Sequence, residues 1–378
     1  YEVHAPAAKP LKWTKLRDEI KGTIRYSKTK SGETLVHRWE VKDVPRMFNE
    51  PSMPSYERVL QRLYVSTLPD WPAVSKWYWE LSKPHLDATT PELKKQVAEI
   101  TAGCTNDLQK VTALFYFVSK KIRYMGLTPE KDRPGFEPHD VCLTFDKKYG
   151  VCRDKAALLV AMLREAGLNA YPVLINVGTR RDMEVPDPGF NHAIAAVELK
   201  KGEYILMDPT NENTRDLLPD SDRDQSYLVC QPEGDKLRIS PIRPAEENLL
   251  RVVTGGTLDA AGNLKAHSKI FFDGVNDNAY RNAFAKMKPD DCRRFFERNL
   301  KAALPGARLE SLVLTPANML DMSEPLCARL EFTVDGMIAA GSGKAVVSLP
   351  WIGNHFGIIN FILDGTGLEK RKYPLKTQ

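Results

Sequence analysis

The chain predicts an α+β protein: one helix packed on an antiparallel sheet in its central part, a β-rich N-terminal segment before it, and a C-terminal α+β or mainly β unit after it. Three observations carry the prediction. Two helical runs lie between residues 91 and 122, a third run is opened by a cysteine and closed by Gly167, and strand-like segments from 190 to 208 meet at a Gly-bearing turn. The length of 378 residues suggests two or three domains. Changes of character along the chain place them at 1–86, 87–245 and 246–378.

Residues 34–41 alternate loosely and read as strand, 47–54 as irregular because of Asn49, Pro51 and Pro54, and 64–67 as strand again. Pro72 opens an expected helix that carries Trp71, Trp77, Tyr78, Trp79 and Leu81. Clustered indoles near a domain joint are expected in the core rather than as a carbohydrate platform. In the helix expected over 106–122, Val111, Leu114, Phe115, Val118 and Ile122 share one face. A loop over 126–138 leads to Tyr149-Gly150 and the cysteine helix, whose core positions are Ala156, Leu159, Val160 and Leu163. Strands follow at 170–177, 190–199 and 203–208, with shorter ones at 227–230 and 237–239. Farther on, strands are expected at 252–257, 264–272, 309–314, 327–334 and 344–349, with helices at 276–287 and 289–303. Gly341-Ser342-Gly343-Lys344 lacks the four-residue spacing of a phosphate loop and reads as a hairpin turn.

The chemistry concentrates on Cys152. A thiol at a helix start meets unpaired N–H groups and the positive end of the macrodipole, which favour the thiolate. Arg153 adds positive charge, and the N–H of Cys152 can donate into an oxyanion hole. His192 lies on a strand that turns back through Lys200-Lys201-Gly202. A three-residue loop with Gly in the left-handed position pairs Leu199 with Glu203 and sets Ile194 opposite Asp208. His192 and Asp208 then project from one face, the aspartate diagonal to the imidazole. A two-residue loop would separate them. Cys152, His192 and Asp208 thus suit nucleophile, base and base-orienting residue.

Gly150-Val151-Cys152-Arg153-Asp154-Lys155-Ala156, Phe190-Asn191-His192-Ala193 and Met207-Asp208-Pro209-Thr210 together resemble the transglutaminase-like superfamily, in particular bacterial proteins with such a core between β-rich domains. The likeness runs from about Trp71 to Pro241. It implies a papain-like fold and a Cys152-His192-Asp208 triad. Many relatives carry an acidic residue where this chain has Val151; the departure leaves the triad in place, but the relatives' substrate preference does not carry over with it. Tyr124 is the candidate oxyanion partner, with a packed aromatic as the alternative. His139 and Asp140 shape the cleft or, on the reading favoured here, anchor its loop; Asp154 is a helix-start residue.

The expected activity is thiol-dependent hydrolysis of a peptide or protein amide through an acyl-enzyme. The alternatives are an amine-accepting acyltransferase that cross-links proteins and a noncatalytic protein- or glycan-binding module on the same scaffold. The chemistry requires no cofactor. The 54 basic and 49 acidic residues are well mixed, and no basic stripe with aromatics argues for nucleic acid. No apolar stretch is long enough for a membrane span. The six cysteines are too widely spaced for a disulfide scaffold, and His139 with Cys142 lacks further ligands for zinc. Because the chain begins at Tyr1, a removed leader or preceding region is expected, with a lean towards a periplasmic or extracellular location.

Overall fold

Capping chemistry starts three helices ahead of the cysteine. Asp70 accepts a hydrogen bond from the N–H of Ala73 (2.8 Å) at the head of Trp71–Leu86, Thr90 from Leu93 (3.3 Å) at Pro91–Thr101, and Asn106 from Gln109 (2.9 Å) at Asp107–Lys121. Val111, Leu114, Phe115, Val118 and Ile122 are all fully buried, as their spacing predicts. Trp71, Tyr78 and Trp79 are core residues too, but Trp77 is 41% exposed, against expectation. Tyr78 occupies the inward direction next to it, and Trp77 meets Phe136 edge-on and Tyr78 at a tilt.

The structure, a computed structural model, describes residues 1–51, 53–126, 135–341, 344–347, 352–356 and 370–374. The chain divides into two compact units, one of Tyr1–Asn211, Ser221–Ile242 and Lys370–Gln378, the other of Glu212–Asp220 and Arg243–Glu369. The fold is mixed α+β, with its sheets mostly antiparallel.

The first unit is built on an antiparallel sheet with strand order Glu203–Met207, His192–Lys200, Asn169–Asn176, Ser226–Val229, Arg238–Ile239. The helix Cys152–Glu165 lies against its two middle strands, His192–Lys200 and Asn169–Asn176. Every residue from Ala156 to Leu163 is buried, so this helix is the centre of the core rather than its cover. Gly167, at φ +85°, stops it, and the N–H of Leu168 returns to the carbonyl of Leu163 (3.0 Å). Lys155 is also fully buried, its ammonium bonded to the terminal carbonyls of Ser119 (3.2 Å) and Ile122 (2.5 Å). That ties the cysteine helix to the C-terminal end of Asp107–Lys121.

A helix at Val141–Lys147, absent from the sequence reading, precedes the cysteine. Its buried Val141, Thr144 and Phe145 fall at i, i+3 and i+4, a signal of too few residues to be distinct. Residues 127–134 of the expected loop lie outside the described residues. Strands Glu2–Pro6, Thr34–Val41 and Ile24–Ser31 form one small N-terminal sheet, and Trp13–Arg17 pairs with Arg62–Ser66. Arg17 grips Asp182 twice (2.7 and 3.1 Å) and Glu184 once (2.8 Å), which fastens this segment to the loop between two core strands.

The second unit has an antiparallel sheet ordered Leu250–Leu258, Leu264–Phe272, Cys327–Val334, Ala307–Thr315, with helices Val275–Phe284 and Pro289–Ala303. Phe272, Phe296, Leu330 and Phe332 lead its apolar core. Arg281 is fully buried yet completely matched. It holds Asp277 through two bonds (2.7 and 3.1 Å) and donates to the carbonyls of Met319, Asp321 and Glu324. Gly341 pairs with Lys344 in a hairpin; Ser342 and Gly343 of the expected turn, and residues 348–349 of the expected strand, lie outside the described residues.

Candidate active site

The turn that sets the site differs from expectation at one pair and agrees beyond it. Glu203 pairs with Lys200, not with Leu199; the register then shifts, and Tyr204 faces Glu198, Ile205 Val197, Leu206 Ala196 and Met207 Ala195. Leu199 is the extra residue of a bulge, made possible by Gly202 at φ +78°. The bulge restores the register expected farther along, and His192 and Asp208 meet. His192 Nε2 lies 3.1 Å from Asp208 Oδ2. The N–H of Thr210 donates to Asp208 Oδ1 and its hydroxyl to Oδ2, each at 2.9 Å, so both carboxylate oxygens are held. Asn191 fixes the start of the histidine strand, exchanging two hydrogen bonds with the backbone of Val177 (2.8 and 2.9 Å).

The cysteine helix begins without the cap its neighbours have. Val151 occupies the N-cap position and has no side-chain acceptor, while the N–H groups of Asp154 and Lys155 already bond its carbonyl. Asp154 instead reaches back, accepting from the N–H of Val151 (3.1 Å) and from the N–H and Nδ1 of His139 (3.0 Å each). Asp140, beside His139, bonds His85 Nδ1 at 2.6 Å, and Glu137 bonds Nε2 at 2.9 Å. This network pins the segment before Cys152. Gly150 permits the close approach, since a Cβ there would stand 2.8 Å from Asp154 Cβ and 3.2 Å from Thr144 Cγ2.

Cys152 and His192 line one cleft of about 210 Å³, walled by Tyr78, Phe136, Leu174 and Phe190. With Nε2 held by Asp208, Nδ1 is the ring nitrogen left for the thiol. Burial pushes the Cys152 thiol up, but the hydrogen bond and positive charge of His192, with the N–H groups of Ala193 and Arg153, bring it below the ordinary cysteine value. Burial opposes the imidazolium as well; hydrogen bonds to Asp208 and Cys152 and their negative charges outweigh it and raise His192 to about 10. Asp208, penalised by burial, is lowered by His192 and Thr210. Tyr124 is pushed up by burial and then by the charges of Cys152 and Asp208. The parallel pairing of Arg123–Tyr124 with Tyr149–Gly150 brings its backbone alongside the turn into the cysteine helix.

The sequence model of the transglutaminase-like superfamily matches residues 94–209. The chain carries a transglutaminase-like domain. Among solved structures, a candidate protease from Parabacteroides distasonis is similar at 12% identity and a TM-score of 0.48, over 96% of this chain and 69% of that one. A candidate cysteine protease from Cytophaga hutchinsonii is similar at 14% identity and a TM-score of 0.28, over 62% of this chain and 75% of that one. No curated protein matches the chain.

Within the matched segment the three residues singled out by sequence thus converge, and a fourth joins them from beyond it. Asp222, 2% exposed, puts a carboxylate oxygen within 4.8 Å of a His192 nitrogen and an Asp208 oxygen. Burial and the charge of Asp208 push Asp222 up to about 7, against the opposing pull of His192. It sits in Asp220-Ser221-Asp222-Arg223-Asp224, a stretch that reads as a solvated acidic turn, and nothing in the sequence pattern separates it from its neighbours. His192, Asp208 and Asp222 are also the set that could surround a cation. A metal there would have to compete with the His192 and Thr210 hydrogen bonds for Asp208.

Proposed function

We propose that the transglutaminase-like domain is a thiol-dependent amide-bond hydrolase working through an acyl-enzyme. The observation that carries this reading is the continuous Asp208–His192–Cys152 arrangement at an uncapped helix start, with the thiol lowered and the imidazole raised. A thiolate-imidazolium pair is the resting form such a balance favours. The Cys152 thiolate attacks the substrate carbonyl carbon, and the negative charge moves to the carbonyl oxygen, within reach of N–H groups at the helix start and of the Tyr124 hydroxyl. His192 gives its proton to the departing amine as the C–N bond breaks, which leaves a thioester on Cys152. Neutral His192 then takes a proton from water, hydroxide adds to the thioester, and the C–S bond breaks to release the acid. Asp208 keeps the ring oriented and supports its positive form throughout. An amine in place of water would make the same site a transferase.

The cleft walls support a peptide-like substrate with an apolar group near the scissile amide, since Tyr78, Phe136, Leu174 and Phe190 line the cleft that holds Cys152. Iodoacetamide tests the reading without knowledge of the substrate. Cys152 is expected to alkylate rapidly at pH 6, and His192→Ala to slow it by about a hundredfold, because the thiolate fraction then follows an ordinary thiol. Equal rates in the two proteins would exclude an activated thiol and leave the scaffold as a binding module.

A further inference from the structure

We propose that Asp222 is a positioning residue of this site, a neutral buried carboxyl that donates a hydrogen bond to Asp208 and so holds it against His192. The inference rests on the triad reading above and adds a residue to it. Three observations support it. Asp222 is buried, with one oxygen of its carboxyl accepting the Ser221 hydroxyl at Oδ1 (3.0 Å) and the other, Oδ2, without a hydrogen-bond partner among the described residues. An unpaired buried carboxylate oxygen is costly, and a proton on it removes the charge and supplies a donor. The acceptor within reach is Asp208, in the cluster that spans no more than 4.8 Å.

The charge count points the same way. The titratable groups that face Asp222 are His192, from the strand beside it, and Asp208, from the segment after that hairpin. One imidazolium can balance one carboxylate. Asp208 takes it through a direct 3.1 Å bond, so Asp222 is the carboxyl left to hold a proton. Its raised value, about 7, agrees with that assignment. The backbone keeps it in place, as the Ser240 hydroxyl donates to the Asp222 carbonyl at 2.5 Å. Asp208 therefore meets a donor from Asp222 below neutrality and a second negative charge above it. Ionisation of Asp222 strengthens the hold on the His192 proton, which makes the ring a poorer donor to a leaving amine.

The test is a pH titration of the His192 ring by nuclear magnetic resonance, with His192→Ala used to assign it and iodoacetamide rates measured in parallel. In the wild type, the ring signals are expected to move in two steps, one near pH 7 from Asp222 and one at higher pH from His192 itself. In Asp222→Asn the first step disappears and the second moves to lower pH. Asparagine keeps a donor, so alkylation at pH 6 should fall less in Asp222→Asn than in Asp222→Ala, where loss of the bond to Asp208 is expected to cost about tenfold. A single step in the wild type, or two steps that persist in Asp222→Asn, would overturn the proposal. So would a first step that vanishes on adding EDTA, because the cluster would then belong to a metal. Failure of the triad reading looks different: alkylation would be slow in the wild type and indifferent to His192.

Discussion

Each unit of the molecule buries a charged cluster, and the two are finished differently. In the second unit Arg281 and Asp277 form a two-bond pair, and the remaining guanidinium N–H groups meet three backbone carbonyls. In the first unit two buried carboxyls share one imidazole, and an oxygen of Asp222 has no partner among the described residues. A fully matched cluster of this kind fixes a fold and has nothing left to exchange. An incompletely matched one holds protons whose positions depend on each other and on pH. The contrast separates architecture from chemistry without reference to any substrate.

Breaking the matched cluster should have the largest effect. Arg281→Ala leaves the buried Asp277 charge with the N–H of Leu326 (2.7 Å) and the more distant Arg215 guanidinium (4.0 Å), and should destabilise the second unit by about 3–5 kcal/mol, read as a lowered denaturation midpoint. Asp208→Asn alters the unmatched cluster in another currency. His192 loses the partner that raises it, so the protein should alkylate at pH 6 at least about tenfold more slowly while remaining folded. The pH dependence has a defined sign. His192 is raised from 6.5 to about 10, so its stabilising contribution is complete below 6.5 and lost as pH rises through 10. Asp222 has the same sign in a lower window. The unfolded chain gives up that proton near 3.8 and the folded one near 7, so its contribution declines between those values. Thermal melts of Asp222→Asn should therefore gain on the wild type from pH 4 to 7, and a constant difference would contradict the assignment.

Gly150→Ala tests the support beneath the unmatched cluster. The added methyl must displace Asp154 or Thr144, at an expected cost of about 1–3 kcal/mol, with slower alkylation because the turn into Cys152 moves. Trp77→Ala should matter least, about 1 kcal/mol or less, since that ring is largely exposed.

These differences also mark what a reader of the residues alone can reach. The meeting of Cys152, His192 and Asp208 was legible because each belongs to a short motif and a turn links two of them by counting. The count survived an error, since the bulge at Leu199 absorbed one residue where Leu199 and Glu203 were expected to pair. Strands such as Thr34–Val41 and the helix Pro289–Ala303 were legible through local pattern. Asp222 was not, because its role comes from neighbours 14 and 30 residues away in sequence, Asp208 and His192, and from burial that an acidic turn does not announce. Trp77 was misread for a related reason: helical spacing says which residues share a face, but an aromatic ladder with Tyr78 between two indoles leaves the inward direction undecided.

Val151 gives the uncapped helix a wider meaning. Asp70, Thr90 and Asn106 each close the head of a nearby helix, whereas Val151 cannot. A serine there would be expected to strengthen that helix by about 1 kcal/mol, an improvement open to a single substitution. On the proposed reading its hydroxyl oxygen would also compete for the Arg153 N–H that favours the thiolate, turning a landing place for negative charge into a closed helix end. Screens that select this protein for heat resistance should thus find position 151 early and recover sluggish variants from it.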